Sequence, residues 1–166
     1  MIFVSVGTHE QQFNRLVKKI DDLCINGDID EDVFIQTGYS DYEPKSCKWK
    51  KMCSHDEIDK YNKEARIIIT HGGPSSFVTP LQLGKVPIVV PRKKEFDEHV
   101  NNHQIDFCKE VYKRTKSFIL IEDIDDLKDA ILNYDEISNR CDRNIGKNNS
   151  LFCEKFSNIV DDLFND

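Results

Sequence analysis

The sequence has no long hydrophobic run, no excess of basic residues and no paired-cysteine motif. Its apolar segments are all far shorter than the roughly 20 residues that a membrane-spanning helix needs. The 30 acidic side chains outnumber the 23 basic ones and give a formal net charge of −7. This balance disfavours a nucleic-acid-binding protein, whose affinity comes largely from lysine and arginine contacts with phosphates. The six cysteines are scattered and form no CxxC pair, so we expect reduced and mostly buried thiols.

The first residues and the overall composition indicate a folded cytoplasmic protein. Met1–Gly7 has neither the basic flank nor the long apolar stretch of a signal peptide, and we interpret it as a first strand. With 39% hydrophobic residues the chain can bury a core, which disfavours disorder despite 32% charged residues. The 166 residues suit a single domain, 1–166, with a C-terminal helical segment at about 136–165.

Short strands alternate with helical patterns along the chain. Strands are predicted at residues 2–6, 33–37, 66–70, 86–90 and 118–121, with a weak strand near Met52. Amphipathic helices are predicted between them, beginning with residues 10–24. This alternation predicts an α/β fold with a Rossmann-like parallel sheet and helices on both faces. Pro80 is expected to kink or shorten the predicted helix 74–83. The apolar stripe from Leu151 to Phe164 is either ordinary core or a partner-binding surface.

Glycine-containing loops follow several of the predicted strands, where ligands of open parallel sheets bind. After the strand that ends at Thr70, Gly72 and Gly73 permit a sharp turn, and Pro74 suits the first position of a helix. We therefore expect free N–H groups and hydroxyls of Ser75 and Ser76 at this helix end to bind an anion such as a diphosphate. His71 would add a donor, and Gly7 would supply a second glycine turn. The segment is neither a P-loop nor a GxGxxG fingerprint, and an ordinary helix-starting turn is the alternative.

A second group of polar residues lies at the start of the helix predicted near residue 100. Its members are Asp97, Glu98, His99, Asn101, Asn102, His103 and Gln104. These side chains either bind sugar hydroxyls or cap the helix and face solvent. His99 and His103 are spaced i, i+4, but HExxH is absent and no third ligand is evident, so we expect no metal site. GxSxG is also absent, which disfavours a serine hydrolase. The basic residues of 45–51 around Trp49 form a solvated loop or contact anionic lipid headgroups or a lipid-linked diphosphate.

These segments together resemble the glycosyltransferase family 28 C-terminal domain over about residues 1–160. The resemblance is carried by residues 3–9 (FVSVGTH), 36–40 (QTGYS), 69–76 (ITHGGPSS), 87–91 (PIVVP) and 98–104 (EHVNNHQ). Within the family the chain is most similar to the small subunits of two-component bacterial capsular and exopolysaccharide glycosyltransferases. It is more distantly similar to the catalytic subunit of the dolichol-pathway N-acetylglucosaminyltransferase. The resemblance implies the C-terminal half of a GT-B glycosyltransferase, which holds the nucleotide sugar.

The resemblance also implies a role for individual residues. The diphosphate of a UDP-sugar would be held by Gly7, Thr8, His71, Gly72, Gly73, Ser75 and Ser76. Met52 and Cys53 would lie by the uracil, and Thr79 occupies the position where related domains usually carry a ribose-binding glutamate. The donor sugar would be reached by Glu98, His99, His103 and Gln104. His9 is the candidate general base. No cofactor is implied, since the UDP-sugar is a substrate and GT-B enzymes generally need no catalytic metal.

The implied function is that of an inverting hexosyltransferase. It would transfer galactose or glucose from a UDP-sugar to a polyprenyl-diphosphate-linked sugar in capsular or exopolysaccharide synthesis. The implied partner is a membrane-anchored subunit that supplies the N-terminal half and the lipid-linked acceptor site, which places this chain peripherally at the inner face of the membrane. A non-catalytic UDP-sugar-binding or scaffold subunit that activates such a partner, a nucleotide-sugar epimerase, and a homodimer of the isolated chain remain open.

Overall fold

Six parallel strands form the centre of the protein in a computed structural model that describes residues 1–143. The strands are β1 (Ile2–Ser5), β2 (Val33–Gln36), β3 (Lys48–Lys50), β4 (Ile67–His71), β5 (Ile88–Val90) and β6 (Ile119–Leu120). They lie in the order β3-β2-β1-β4-β5-β6, and every neighbouring pair is parallel. This is the doubly wound order in which the sheet reverses between β1 and β4. The predicted Rossmann-like α/β fold is confirmed.

Helices cover both faces of the sheet. They are α1 (Asn14–Ile25), α2 (His55–Glu64), α3 (Pro74–Gln82), α4 (His103–Thr115), α5 (Leu127–Leu132) and α6 (Tyr134–Asn139). Successive residues of β1 point to opposite faces: Ile2 and Val4 join the core cluster under α1, whereas Phe3 packs beside Tyr61 of α2. Both faces of the strand are therefore apolar, as expected for a parallel sheet buried between helices. None of the helices within residues 1–143 is long and apolar enough to cross a membrane.

Two elements lie elsewhere than predicted, and Pro80 lies where the predicted helix 74–83 ends. α1 begins at Asn14 rather than near residue 10, because the chain from Gly7 to Gln12 forms a loop over the carboxyl edge of the sheet. β3 lies at Lys48–Lys50, within the stretch predicted as loop, rather than near Met52. Pro80 lies in the last turn of α3, which extends only two residues beyond it. α6 covers the beginning of the predicted C-terminal helical segment, and the Leu151–Phe164 stripe lies outside the described residues.

A buried carboxylate fixes the loop that leads into the edge strand β3. The Asp21 side chain on α1 is fully buried, and it accepts hydrogen bonds from four groups of the segment 42–47. The donors are the Tyr42 hydroxyl and the N–H groups of Lys45, Ser46 and Cys47, at 2.8 to 3.3 Å. Burial acts to raise the pKa of Asp21, and these hydrogen bonds outweigh it, so the pKa lies below its ordinary value. Asp21 thus holds the loop as a charged acceptor.

Candidate functional site

The carboxyl ends of β1, β2 and β4 open into a cavity of about 770 Å³, which we call the cleft. It is lined by Ser5, Gly7, Thr8, His9, Glu10, Gln36, Cys53, Ile58, His71, Ser75, Ser76, His99 and Gln104. These residues come from five separate segments of the chain, which the parallel topology brings to one edge. The structure therefore assembles the glycine turns and the polar helix start that the sequence places far apart.

The imidazole ring of His71 lies between two glycines at the centre of the cleft. A Cβ atom on Gly7 would lie 2.5 Å from Nε2 of this ring, and one on Gly73 would lie 2.4 Å from Cε1. Gly7 also has a φ of +78°, which an L-residue with a side chain rarely adopts. The position of the His71 ring therefore requires glycine at both positions, whether or not a ligand also approaches them.

The protonation state of His71 follows from its surroundings. The Gly73 N–H donates to Nδ1 over 3.0 Å, so the neutral ring carries its proton on Nε2. Burial, together with the positive charges of Arg92, His9 and His99, lowers the pKa of His71 to about 4. At neutral pH the ring is uncharged. No partner of Nε2 lies within the described part of the chain, so this N–H is the donor that His71 offers to a ligand.

Ser75 and Ser76, at the start of α3, differ in what they offer. The expectation that both N–H groups are free is wrong for Ser76, whose N–H donates to the Gly73 carbonyl over 3.0 Å and closes the first turn. The Ser76 hydroxyl is also used internally, since it lies 2.8 Å from the His71 carbonyl and 2.6 Å from the Gly73 carbonyl. Ser75 is exposed, and within residues 1–143 neither its N–H nor its hydroxyl donates a hydrogen bond. Ser75 is therefore the free donor of this helix end.

The turn at Gly7 is held by Gln36 from the neighbouring strand. The Gln36 amide accepts from the Gly7 N–H over 3.0 Å and donates to the Gly7 carbonyl over 2.8 Å. Its Oε1 also accepts from the Ser5 hydroxyl. Neither Gln36 nor Ser5 is among the predicted site residues. Gln36 could have been predicted, because it is the last residue of β2 and therefore lies at the same carboxyl edge of the sheet as the glycine loops.

His9 stacks on His99 at the rim of the cleft. The two ring centroids lie 4.7 Å apart with the planes 15° from parallel, and His103 meets His99 edge-on. Gln11 donates its amide to the Asp97 carbonyl, so its Oε1 accepts from Nε2 of His9. Nδ1 of neutral His9 is consequently the basic nitrogen. The pKa of His99 is lowered by burial and by the neighbouring His9 and His103 charges.

Gln104 and Glu98 occupy different environments although both belong to the polar segment 97–104, which runs into the first turn of α4. Gln104 lines the cleft, and its Oε1 accepts from the Arg92 N–H over 3.2 Å, which leaves the Nε2 amide group for a ligand. Glu98 is fully buried, accepts from the Lys93 N–H and forms a two-point salt bridge with Arg15. Its carboxylate therefore lies outside the cleft and supports the loop instead of facing a sugar.

The predicted uracil and ribose residues lie around the cleft in three places. Cys53 lines the cleft itself. Thr79 lines an adjoining cavity of about 250 Å³ that shares Ser75 and Ser76 with the cleft and also contains the fully buried Thr70 hydroxyl, which has no partner within residues 1–143. Met52 lines a separate cavity of about 470 Å³ beside Trp49. The structure therefore brings Cys53 and Thr79, but not Met52, into contact with the cleft or its extension.

The described residues contain no group of three or more histidine, cysteine or carboxylate side chains arranged to hold a metal ion. His99 and His103 are within ring contact, yet the third ligand that the i, i+4 spacing would need is missing from residues 1–143. The donors of the cleft are instead imidazole, amide and main-chain N–H groups. Such groups suit an anionic or polyhydroxylated ligand.

Helix-end donors, glycine turns and a neutral histidine thus lie together at the carboxyl edge of a Rossmann-like domain, where ligands of open α/β sheets bind. The family model of the glycosyltransferase family 28 C-terminal domain matches residues 1–161, and the chain belongs to this family. Its six-stranded parallel sheet agrees with the C-terminal domain of a GT-B glycosyltransferase.

Two further comparisons concern individual proteins. Curated protein sequences give no match to the chain. Among solved structures, the chain is similar to the glycosyltransferase SnogD from Streptomyces nogalater, with 16% sequence identity and a TM-score of 0.46. The alignment covers 84% of this chain and 39% of that one. The chain thus spans well under half the length of this similar structure.

Proposed function

We propose that this chain is the donor-binding subunit of an inverting glycosyltransferase that uses a UDP-sugar. The observation that carries the proposal is the neutral His71 ring, which lies between two glycine turns and whose Nε2–H has no partner within residues 1–143. A neutral donor, the exposed Ser75 N–H and the positive end of α3 suit the diphosphate of a leaving nucleotide. Membership of the family supports a nucleotide sugar as the bound molecule.

The proposed arrangement of the donor follows the cleft. The diphosphate lies against Gly7, Thr8 and the His71–Ser76 loop, with the ribose toward the adjoining cavity at Thr79 and the uracil by Cys53. The donor hexose, galactose or glucose, lies at the Gln104 amide and the His99 and His103 rings. In the direct displacement, the acceptor hydroxyl attacks the anomeric carbon, its proton moves to Nδ1 of His9, and UDP leaves with the bonding electrons. No metal or cofactor takes part in the proposal.

We propose further that the acceptor comes from a membrane-anchored partner that carries a polyprenyl-diphosphate-linked sugar, as in capsular or exopolysaccharide synthesis. The loops around the cleft support a heteromeric enzyme, because they expose apolar side chains that a partner would cover. Val100 is 65% exposed, Tyr39 52% and Phe96 45%, all at the carboxyl edge of the sheet. The chain would thereby sit peripherally at the inner face of the membrane.

The decisive experiment is sugar transfer by the chain co-expressed with its membrane partner. We expect His71→Ala and Gln104→Ala to abolish transfer, and His9→Ala to abolish transfer while calorimetric UDP binding persists. Gln82→Ala is the matched control, since the Gln82 side chain is exposed at the end of α3 and lines neither the cleft nor the adjoining cavity at Thr79. Glu10 is a second candidate proton acceptor in the cleft, and the variant Glu10→Gln tests whether it acts as the general base instead of His9.

Other outcomes have distinct meanings. Full transfer by the His71 and Gln104 variants would favour a scaffold subunit that activates its partner. Normal transfer by the His9 variant, with loss in the Glu10 variant, would move the general base to Glu10. Absence of UDP binding at millimolar UDP would contradict the proposal that this chain holds the donor site.

A further inference from the structure

Arg92 is a completely buried arginine in the loop that follows β5. It is the largest of the fully buried side chains within residues 1–143, at 0% exposure. Burying a guanidinium is unfavourable unless its donors are satisfied; Nε of Arg92 has no partner within residues 1–143, so its terminal nitrogens supply the hydrogen bonds.

The terminal N–H groups of Arg92 donate to main-chain carbonyls of two different loops. Nη2 donates to the Val6 carbonyl over 2.7 Å, at the end of β1. Nη1 donates to the carbonyls of Gln11 and Gln12 at 2.9 and 3.0 Å, and to the Glu98 carbonyl at 3.0 Å. The first three carbonyls bracket the segment that carries Gly7, Thr8 and His9. A single planar fork therefore joins both ends of the first loop to the loop that carries His99.

Arg92 forms no salt bridge within residues 1–143. Glu98, the nearest acid, gives both carboxylate oxygens to Arg15, and no carboxylate within the described residues lies at salt-bridge distance from Arg92. Burial lowers the pKa of Arg92 to about 10, and the Glu98 charge opposes this, so the guanidinium stays protonated at neutral pH. The Phe13 ring covers it at 4.8 Å. Glu98 thus compensates the charge of Arg15, and the positive charge of Arg92 has no ion-pair partner within residues 1–143.

We propose that Arg92 is a positioning residue of the cleft, whose fork holds the loop after β1 against the loop after β5 so that His9 stacks on His99 before any ligand binds. The side chains of Gln11 and Gln12 also join these loops, through the carbonyls of Asp97 and Phe96, but they do so at the exposed surface. Arg92 is the buried member of the set. As a role in donor binding, this assignment rests on the proposed function.

The test compares Arg92→Lys with Arg66→Lys in the full chain. Lysine keeps the charge of Arg92 but has one terminal nitrogen instead of two, so it cannot occupy the Nη1 and Nη2 positions at the same time and loses part of the four carbonyl contacts. Arg66 is the matched control, because it immediately precedes β4, at the opposite edge of the sheet, and pairs with Glu31 and Asp135. The readouts are the imidazole NMR signals of the five histidines, with His55 as internal reference, and the calorimetric dissociation constant for UDP.

We expect Arg92→Lys to shift the His9 and His99 signals. We also expect it to raise the UDP dissociation constant at least about tenfold, because a small displacement of positioned groups causes a large loss of binding free energy. Arg66→Lys should change neither. In the unsubstituted protein, the Arg92 guanidinium N–H signals should be resolved and exchange slowly, unlike those of the exposed Arg114. This measurement applies even if the lysine variant does not fold.

Unchanged His9 and His99 signals and an unchanged dissociation constant in folded Arg92→Lys would overturn the proposal, as would rapidly exchanging Arg92 signals in the unsubstituted protein. If the unsubstituted chain binds no UDP at all, the proposed function fails. The histidine and guanidinium signals of the ligand-free protein still decide whether Arg92 holds the two loops.

Discussion

At the residue scale, the cleft is shaped by the contact between one imidazole and two glycines. His71 fills the space in which Cβ atoms of Gly7 and Gly73 would lie, and the Gly73 N–H fixes its tautomer. The ring, the turn and the direction of the remaining N–H are therefore one structural unit. Changing any of the three residues should alter ligand binding through the same geometry.

Gly7→Ala should abolish detectable UDP binding, because its Cβ would displace the His71 ring. Gly27→Ala is the matched control: Gly27 has a φ of +74°, close to that of Gly7, but apart from its chain neighbours no atom of residues 1–143 lies within 4 Å of where its Cβ would be. Both substitutions should destabilise the fold by about 1–2 kcal/mol from the left-handed backbone. Calorimetry and urea unfolding measure the two effects, and UDP binding by Gly7→Ala at the unsubstituted affinity would contradict the role of the ring.

His71 should make the protein less stable in weak acid. Because its pKa is lowered to about 4 in the folded state from 6.5, the unfolded chain binds a proton in this window that the folded chain does not. Stability is therefore lost as the pH falls from 6.5 toward 4, by about 2 kcal/mol between pH 7 and pH 5.

His71→Gln should remove that part of the acid dependence, as measured by urea unfolding at the two pH values. His55→Gln serves as the control because His55 is solvent-exposed. An equal loss of stability with acid in the unsubstituted protein and in His71→Gln would disprove the assignment of the neutral ring.

At the element scale, the strands that are apolar on both faces could be predicted, and the edge strand could not. β1 and β4 are almost continuous runs of Ile, Val and Phe, which a doubly covered parallel sheet requires. β3 consists of two exposed lysines on either side of Trp49, and this short sequence by itself is typical of a solvated loop. Its position depends on Asp21, more than 20 residues earlier on another element. Arg92 was missed for the same reason, because its partners are distant carbonyls that no local pattern reveals.

Asp21→Asn should destabilise the protein by about 2–4 kcal/mol, since a neutral amide cannot accept from all four donors of the loop and places an N–H₂ group among them. Asp22→Asn is the control, because Asp22 is the next residue of α1 and is only half-buried. Urea unfolding measures the free energy of unfolding, and the rate of limited proteolysis within residues 42–47 measures how firmly the loop is held. Equal stability of the two variants would show that the buried carboxylate is dispensable.

At the scale of the whole molecule, the motifs predicted which edge of the sheet would form a site, and the three-dimensional packing decided which side chains reach it. Glu98 belongs to the same polar segment as Gln104, yet it is turned inward to Arg15. Sequence spacing alone cannot separate these two residues, because the turn between them is set by the Arg92 contacts. The family, in contrast, could be predicted from the motifs of the sequence, because their identity does not depend on how the side chains pack.

UDP should stabilise the whole folded chain by mass action, by about 2.7 kcal/mol at a concentration 100 times its dissociation constant. Because the proposed donors address a diphosphate, UMP at the same concentration should stabilise much less. Thermal unfolding with each nucleotide measures the difference, with Gly7→Ala as a variant that should show no shift. Equal stabilisation by UMP and UDP would place the recognition on the nucleoside.

Trp49 is the single tryptophan of the chain, and it lies half-buried on the edge strand beside the cavity that contains Tyr39 and Met52. Its indole is therefore the sole source of tryptophan emission, and that emission reports on the edge strand separately from the cleft. A nucleotide that occupies only the cleft should leave the emission wavelength unchanged. A protein that covers the carboxyl edge near Tyr39 should shift it to the blue, which gives an optical readout of subunit assembly without a label.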